Sequence, residues 1–142
     1  MRLNDEARAL IGAGANATLV TLNPDGSPQV SVVWIERQET AEGDELVSAH
    51  LSEHKKVRNL RRDGRVALSI VGSSGGAGGF MVPYLSVTGT ARVVEGGAVE
   101  VLQRLTAALA PEAVGQFPPA GAPAGYLTRI TIEKVGGVGP WA

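Results

Sequence analysis

Apolar and polar residues alternate along much of this chain, and the alternation predicts strands. Ala17 to Leu22 and Pro28 to Ile35 alternate on either side of Asn23-Pro24-Asp25-Gly26, where Pro sets φ and Gly takes the left-handed position of a turn. The pair reads as a β-hairpin. Its second strand puts Val30, Val32 and Trp34 on one face and Gln29, Ser31, Val33 and Ile35 on the other, one face apolar and the other mixed. Gln38 to Asp44 reads as a polar loop, and Glu45 to Leu51, Arg65 to Val71, Tyr84 to Val94 and Tyr126 to Val135 read as four further strands. Gly89 marks a bend or bulge inside the longest of them.

Three segments change period. Asn4 to Ile11 places Leu3, Ala7, Leu10 and Ile11 on one side of a helix capped by Asn4 or Asp5. Gly97 to Ala110 carries Val101, Leu102, Leu105 and Leu109 on a helical face that stops before Pro111. Between strands three and four, Ser52 to Arg65 spaces Val57 and Leu60 for a short helix, with Ser52 as its cap and Lys55 and Lys56 in its first turn. Gly72 to Gly79 reads as a flexible hairpin loop, and Phe117 to Gly125 is too rich in Pro and Gly for regular structure. Six strands joined mostly as hairpins, with three short inserted helices, predict a mainly β protein of the α+β kind, an antiparallel β-barrel spanning residues 1–142 as one domain.

Composition narrows the chemistry. With no Cys and two His, thiolate chemistry is excluded and a metal centre would need carboxylates, so no metal is expected. The charged N-terminus lacks the apolar run of a signal peptide, and the apolar stretches are too short to span a bilayer, which predicts a cytoplasmic protein. Charge is uneven. Ser52 to Arg65 holds six of the thirteen basic residues against Glu53 and Asp63, a local +4 in a chain of net −1. Free N–H groups at a helix start beside two ammonium groups suit a phosphate. A nucleic-acid partner is not expected, because the pI is near 6.1, aromatics make up only 4 % and none is interleaved with the basic run. The Gly12-Ala13-Gly14 cluster follows a helix and precedes a strand, the reverse of a dinucleotide fingerprint, and reads as a connector.

The order of these parts resembles the flavin-reductase-like split β-barrel family, which includes pyridoxamine 5′-phosphate oxidases and deazaflavin (F420)-dependent reductases. Asp25 to Trp34, Lys56 to Leu60 with Asp63 to Leu68, and Val87 to Ala91 carry the resemblance, and Val138-Gly139-Pro140-Trp141 is similar to the ending of the actinobacterial, F420-using branch. The resemblance implies an FMN-binding type of split barrel and a homodimer with a planar tricyclic cofactor between subunits. It implies that Ser31, Val32, Val33 and Trp34 line the ring, that His50, Leu51 and Ser52 approach the side chain and phosphate, and that Lys55 and Lys56, with Asn59 nearby, hold the phosphate. Trp141, in the tail Val138 to Ala142, would fold over the groove. Ser31 stands where FMN-binding oxidases commonly carry arginine, which favours F420 over FMN. The implied activity is hydride transfer from reduced F420 to a planar electron-poor acceptor such as an enone, quinone or tetrapyrrole. The alternatives are an FMN-dependent oxidase or reductase and a non-catalytic carrier of F420 or haem. No residue is selected as proton donor.

Overall fold

The computed structural model describes residues 1–72 and 81–141. In chain order these form α1 (Asp5–Ile11), β1 (Ala15–Leu22), β2 (Pro28–Thr40), β3 (Gly43–His50), α2 (Lys55–Arg62), β4 (Arg65–Val71), β5 (Tyr84–Glu95), α3 (Ala98–Leu109) and β6 (Tyr126–Val138). All six strands pair antiparallel and close a barrel in the order β1-β2-β3-β6-β5-β4. The expected fold, a mainly β six-stranded split barrel with inserted helices, is the observed one.

Alternation decides what fills the barrel. Ala17 and Leu19 of β1, Val66, Leu68 and Ile70 of β4, Leu85 and Val87 of β5, and Ile130 and Ile132 of β6 point inward and are buried. Each Val, Leu or Ile among them contributes about 1.5–3 kcal/mol by leaving water. Helix α1 closes one end with Ala7 and Ile11, and its cap is the one expected: Asn4 Oδ1 accepts from the Ala7 N–H at 2.9 Å. Helix α3 builds a second cluster, in which Val101 and Leu105 meet Val47 of β3 and Leu127 of β6. At Gly89 the pairing of β5 with β6 shifts register. A side chain there would collide with the Thr131 carbonyl, so the bulge requires glycine.

Three expectations need correction, and one point left open, which face of β2 is inward, is decided. The polar segment Gln38 to Asp44 is mostly strand: β2 runs to Thr40, β3 starts at Gly43, and the connection is a tight turn. Its polar side chains are satisfied laterally, with Arg37 bonded to Asp44 at 2.9 Å and Arg129 to Gln38 at 2.8 Å. The apolar face of β2 is the outer one, for Val30 and Val32 are 61 % and 68 % exposed while Val33 and Ile35 are buried. Register explains it: Ser31, Val33 and Ile35 lie opposite Leu19, Ala17 and Ala15, the inward residues of β1. Ser52 does not cap α2; His54 holds that position, without a side-chain bond to the helix. The strand expected to end at Val135 continues to Val138, and Trp141 folds back to donate Nε1–H to the Tyr84 carbonyl at 2.7 Å. Of the expected loop Gly72 to Gly79, residues 73–79 lie outside the described residues, as does Ala142 of the tail.

Candidate functional site

Strands β2 and β3 pair from Thr40 and Gly43 to Glu36 and Val47, and there the ladder stops. Beyond it, Val32, Val33 and Trp34 stay with β1, whereas Ala49 and His50 stay with Leu127 and Tyr126 of β6. A groove of about 490 Å³ opens where the two strands part, a volume ordinary for a small-molecule site. Its walls are Val32, Val33 and Trp34 of β2, Ala49 to Ser52 at the end of β3, His54 and Lys56 at the start of α2, Leu102 of α3, and Phe117. A larger depression of about 720 Å³ lies beside Gly12, Glu36 and Arg104. Its charges already satisfy each other, with Arg104 on Glu36 at 2.8 Å and Gln38 on Glu36 at 2.7 Å. The groove is the better candidate.

The groove has two chemically different sides. Toward α2 it is polar and cationic. Lys56 is half-buried there, and that burial pushes its ammonium pKa below 10.5. His50 is 5 % exposed, and its Nε2 meets the hydroxyls of Ser48 and Thr128, each at 3.0 Å. Burial, with the Lys56 and His54 charges adding to it, holds His50 down to about 4, so the imidazole is neutral near pH 7. His54 packs edge-on to His50 with ring centroids 6.2 Å apart, and Ser52 Oγ lies 3.1 Å from its Nε2. Toward α3 the groove is apolar: Leu102 is buried, and Trp34 and Phe117 stand at 86° with centroids 6.3 Å apart.

The arginines of the basic run have local partners. Arg58 donates to the Glu53 carbonyl at 2.7 Å, Arg61 pairs with Glu53 at 3.7 Å and lies over the Tyr126 ring, and Arg65 pairs with Asp63 at 2.8 Å. Arg62 donates to the Leu22 carbonyl.

Of the residues expected at a cofactor, Val32, Val33, Trp34, His50, Leu51, Ser52 and Lys56 come together around this groove. Four do not line it. Ser31 turns inward, its Oγ buried without a partner among the described residues. Lys55 is exposed toward the β1–β2 turn, where its charge adds slightly to the Ser27 hydrogen bonds that keep Asp25 below the usual carboxylate range. Asn59 is 2 % exposed and donates to Thr21 Oγ1 at 3.1 Å and Asn23 Oδ1 at 3.2 Å, which ties α2 to the first hairpin. Trp141 packs on the barrel core at another part of the molecule. The groove adds Ala49, His54, Leu102 and Phe117, which the sequence reading left out. His54 had a signal, as one of two histidines four residues apart, and so did Phe117, an aromatic residue in a Pro-rich segment.

A barrel whose sheet splits to form a groove, with a cationic helix start on one rim, defines the split-barrel class. The family model for pyridoxamine 5′-phosphate oxidase matches residues 3–139, and the chain belongs to that family. Among solved structures, an F420 reductase is 20 % identical with TM-score 0.69, covering 91 % of this chain and 94 % of that one. HutZ, the haem storage protein of Vibrio cholerae, is 20 % identical with TM-score 0.61, covering 98 % and 96 %. HupZ of Group A Streptococcus is 16 % identical with TM-score 0.67, covering 99 % and 97 %. These likenesses concern the fold. No curated protein sequence matches the chain. Among the described residues no helix is long and apolar enough to cross a membrane, and no three His, Asp or Glu are grouped to hold a metal ion.

Proposed function

We propose that the chain is a cytoplasmic F420-dependent reductase, a single domain that works as a homodimer. The observation that carries this reading is the two-sided groove at the β2–β3 split, with a flat apolar strand on one wall and Lys56 on the opposite rim. The donor set fits an anionic, planar cofactor: the Lys56 ammonium, the Ser52 hydroxyl and the His54 ring can meet phosphate oxygens, and the start of α2 adds free N–H groups. Val32 and Trp34, with the backbone of Val33 between them, would face the ring, while Leu51 and neutral His50 would bound the chain that joins ring to phosphate. Reduced F420, when bound, supplies a hydride to an electron-poor acceptor. The protein's part is to hold both reactants in one orientation and to exclude water from the apolar wall. Lys55 and Asn59 act at longer range, Lys55 through charge and Asn59 by holding the helix that carries Lys56.

The dimer reading is supported by the outer face of β2. Val30 and Val32 are exposed beside Val20 and Thr18 of β1, and Val32 borders both the groove and the neighbouring depression that reaches Val71. A second copy covering this face completes the groove, and Trp141 would serve the cofactor only in that assembly, whereas Ser31, its Oγ turned into the barrel, would meet it only through its backbone.

A second reading keeps the groove and replaces F420 by FMN, favoured by the family model itself. Equilibrium titration of the purified protein with F420 and with FMN, each followed by cofactor fluorescence, separates the two. Micromolar or tighter F420 binding with weak FMN binding is expected; tight FMN binding with none for F420 overturns the first reading. Bound F420 that never turns over with quinones, enones or tetrapyrroles makes the protein a carrier.

A further inference from the structure

The inner faces of β3 and β6 change character at one end. Leu46 and Ile130 lie in the apolar barrel core, and toward the groove the same two faces carry Ser48, His50 and Thr128. Ser48 and Thr128 stand opposite each other across the strand pair, and all three side chains are buried. Packing alone does not call for them, since a buried hydroxyl without a partner costs stability that an apolar side chain would not.

Their hydrogen bonds converge on one atom. His50 Nε2 lies 3.0 Å from Ser48 Oγ and 3.0 Å from Thr128 Oγ1, and neither hydroxyl has another partner among the described residues. Turning the ring over would put a carbon at that point and break both bonds. Each hydroxyl has one proton to place. If Nε2 carried the ring proton, it would donate to the hydroxyls, and neither hydroxyl proton would find an acceptor on the ring. If Nε2 is bare, its lone pair receives them and the ring proton sits on Nδ1. The second arrangement leaves fewer buried donors unpaired and is the favoured one.

Nδ1 is the open end of the ring. It makes no hydrogen bond to the described residues, among which the sealed side-chain atoms without a partner are Arg8 Nε and Ser31 Oγ, so Nδ1 is still reached by solvent. His50 lines the groove, and its free N–H is presented there. No carboxylate lines the groove, and the ionisable neighbours of His50 are Lys56 and His54, so nothing beside it favours a charged ring.

We propose that Ser48 and Thr128 are positioning residues that hold the His50 imidazole in its Nδ1–H tautomer, so that the groove presents a fixed hydrogen-bond donor to a hydroxyl or carbonyl oxygen of its ligand. Neither residue lines the groove; both act through His50. Nε2 is withheld from the ligand, and a group that can only donate is disfavoured opposite Nδ1, because two donors would face each other. The tautomer follows from the barrel alone, whereas assigning the accepting oxygen to F420 rests on the reading above.

The test is nitrogen-15 NMR of the ligand-free protein labelled at histidine, in which long-range proton–nitrogen couplings distinguish a protonated from a bare ring nitrogen. The chain has two histidines, and His54→Asn assigns the signals. A single Nδ1–H form of His50 is expected at neutral pH, the less common tautomer of free histidine. An Nε2–H form, a mixture of tautomers or a charged ring in the parent protein overturns the proposal. Ser48→Ala combined with Thr128→Val should lose the single-tautomer pattern, and Thr128→Ser, which keeps the hydroxyl, should retain it; an unchanged pattern in the double variant overturns the positioning role. The double variant should also bind F420 about threefold more weakly, in keeping with one impaired hydrogen bond, and Thr128→Ser should bind it as the parent does. Undiminished F420 affinity in a double variant that has lost the pattern overturns the donor role. The expected pattern in a protein that binds no F420 upholds the tautomer and removes the reductase reading instead.

Discussion

Two helices flank the same groove and are held to the barrel by opposite means. Helix α3 lies on the sheet through Ala98, Val101, Leu102 and Leu105, and its attachment is apolar area. Helix α2 buries Val57 and Leu60 but is tied down by polar bonds, from Asn59 to Thr21 and Asn23 and from Arg62 to Leu22. The difference suits what each brings to the site. A helix that delivers charge cannot be apolar all round, so its short apolar face is supplemented by the buried Asn59 amide and the Arg62 bond, whereas the helix that delivers an apolar wall is continuous with its own core.

The largest test of that contrast is Leu105→Ala. Leu105 has no exposed surface, and its truncation should cost about 2–5 kcal/mol in denaturant unfolding. A loss below about 1 kcal/mol would mean that α3 is not held by burial. Next comes the pH dependence set by His50, which links the two sides. Its folded pKa lies near 4 against 6.5 for the free side chain, so the unfolded chain takes up a proton in that window that the folded chain refuses. Stability should therefore fall as pH drops from 6.5 toward 4, by up to about 3 kcal/mol from this group. His50→Asn should flatten the slope over that window relative to the parent protein; an unchanged slope would place the proton uptake elsewhere.

Asn59→Ala probes the polar anchor directly. It removes the bonds to Thr21 and Asn23 and should cost about 1–3 kcal/mol, since Thr21 Oγ1 stays buried. Retained stability would show α2 to be held by Val57 and Leu60 alone. The smallest effect on folding belongs to Lys56→Ala, which should change stability by less than about 0.5 kcal/mol. On the proposed function it should nevertheless weaken F420 binding roughly tenfold. The same substitution at Lys55, which lies outside the groove, should leave the affinity within about twofold. Equal losses at both positions would mean that diffuse charge, not the groove-lining ammonium, attracts the cofactor.

Much of this was legible along the chain. The period-2 pattern locates all six strands, Gly89 marks the bulge, the Asn4 cap starts α1 and the proline after α3 ends that helix, because these are local consequences of backbone geometry. The concentration of charge in Ser52 to Arg65 likewise identified the cationic rim. What each residue of that run does was not legible: Lys55 and Lys56 are adjacent, yet helical rotation turns only the second into the groove. The resemblance put Asn59 near the phosphate, and only the β1–β2 hairpin beneath it supplies the Thr21 and Asn23 partners that hold it elsewhere. Which face of β2 is inward was left open for a similar reason, since alternation fixes that two faces exist while the pairing with β1 decides which is inside. Sequence thus determined the elements, their order and the charge they carry. Tertiary structure alone decided where β2 and β3 part, and therefore that Phe117 joins Trp34, His50 and Lys56, which the family resemblance had brought together, in one groove built from four separate segments.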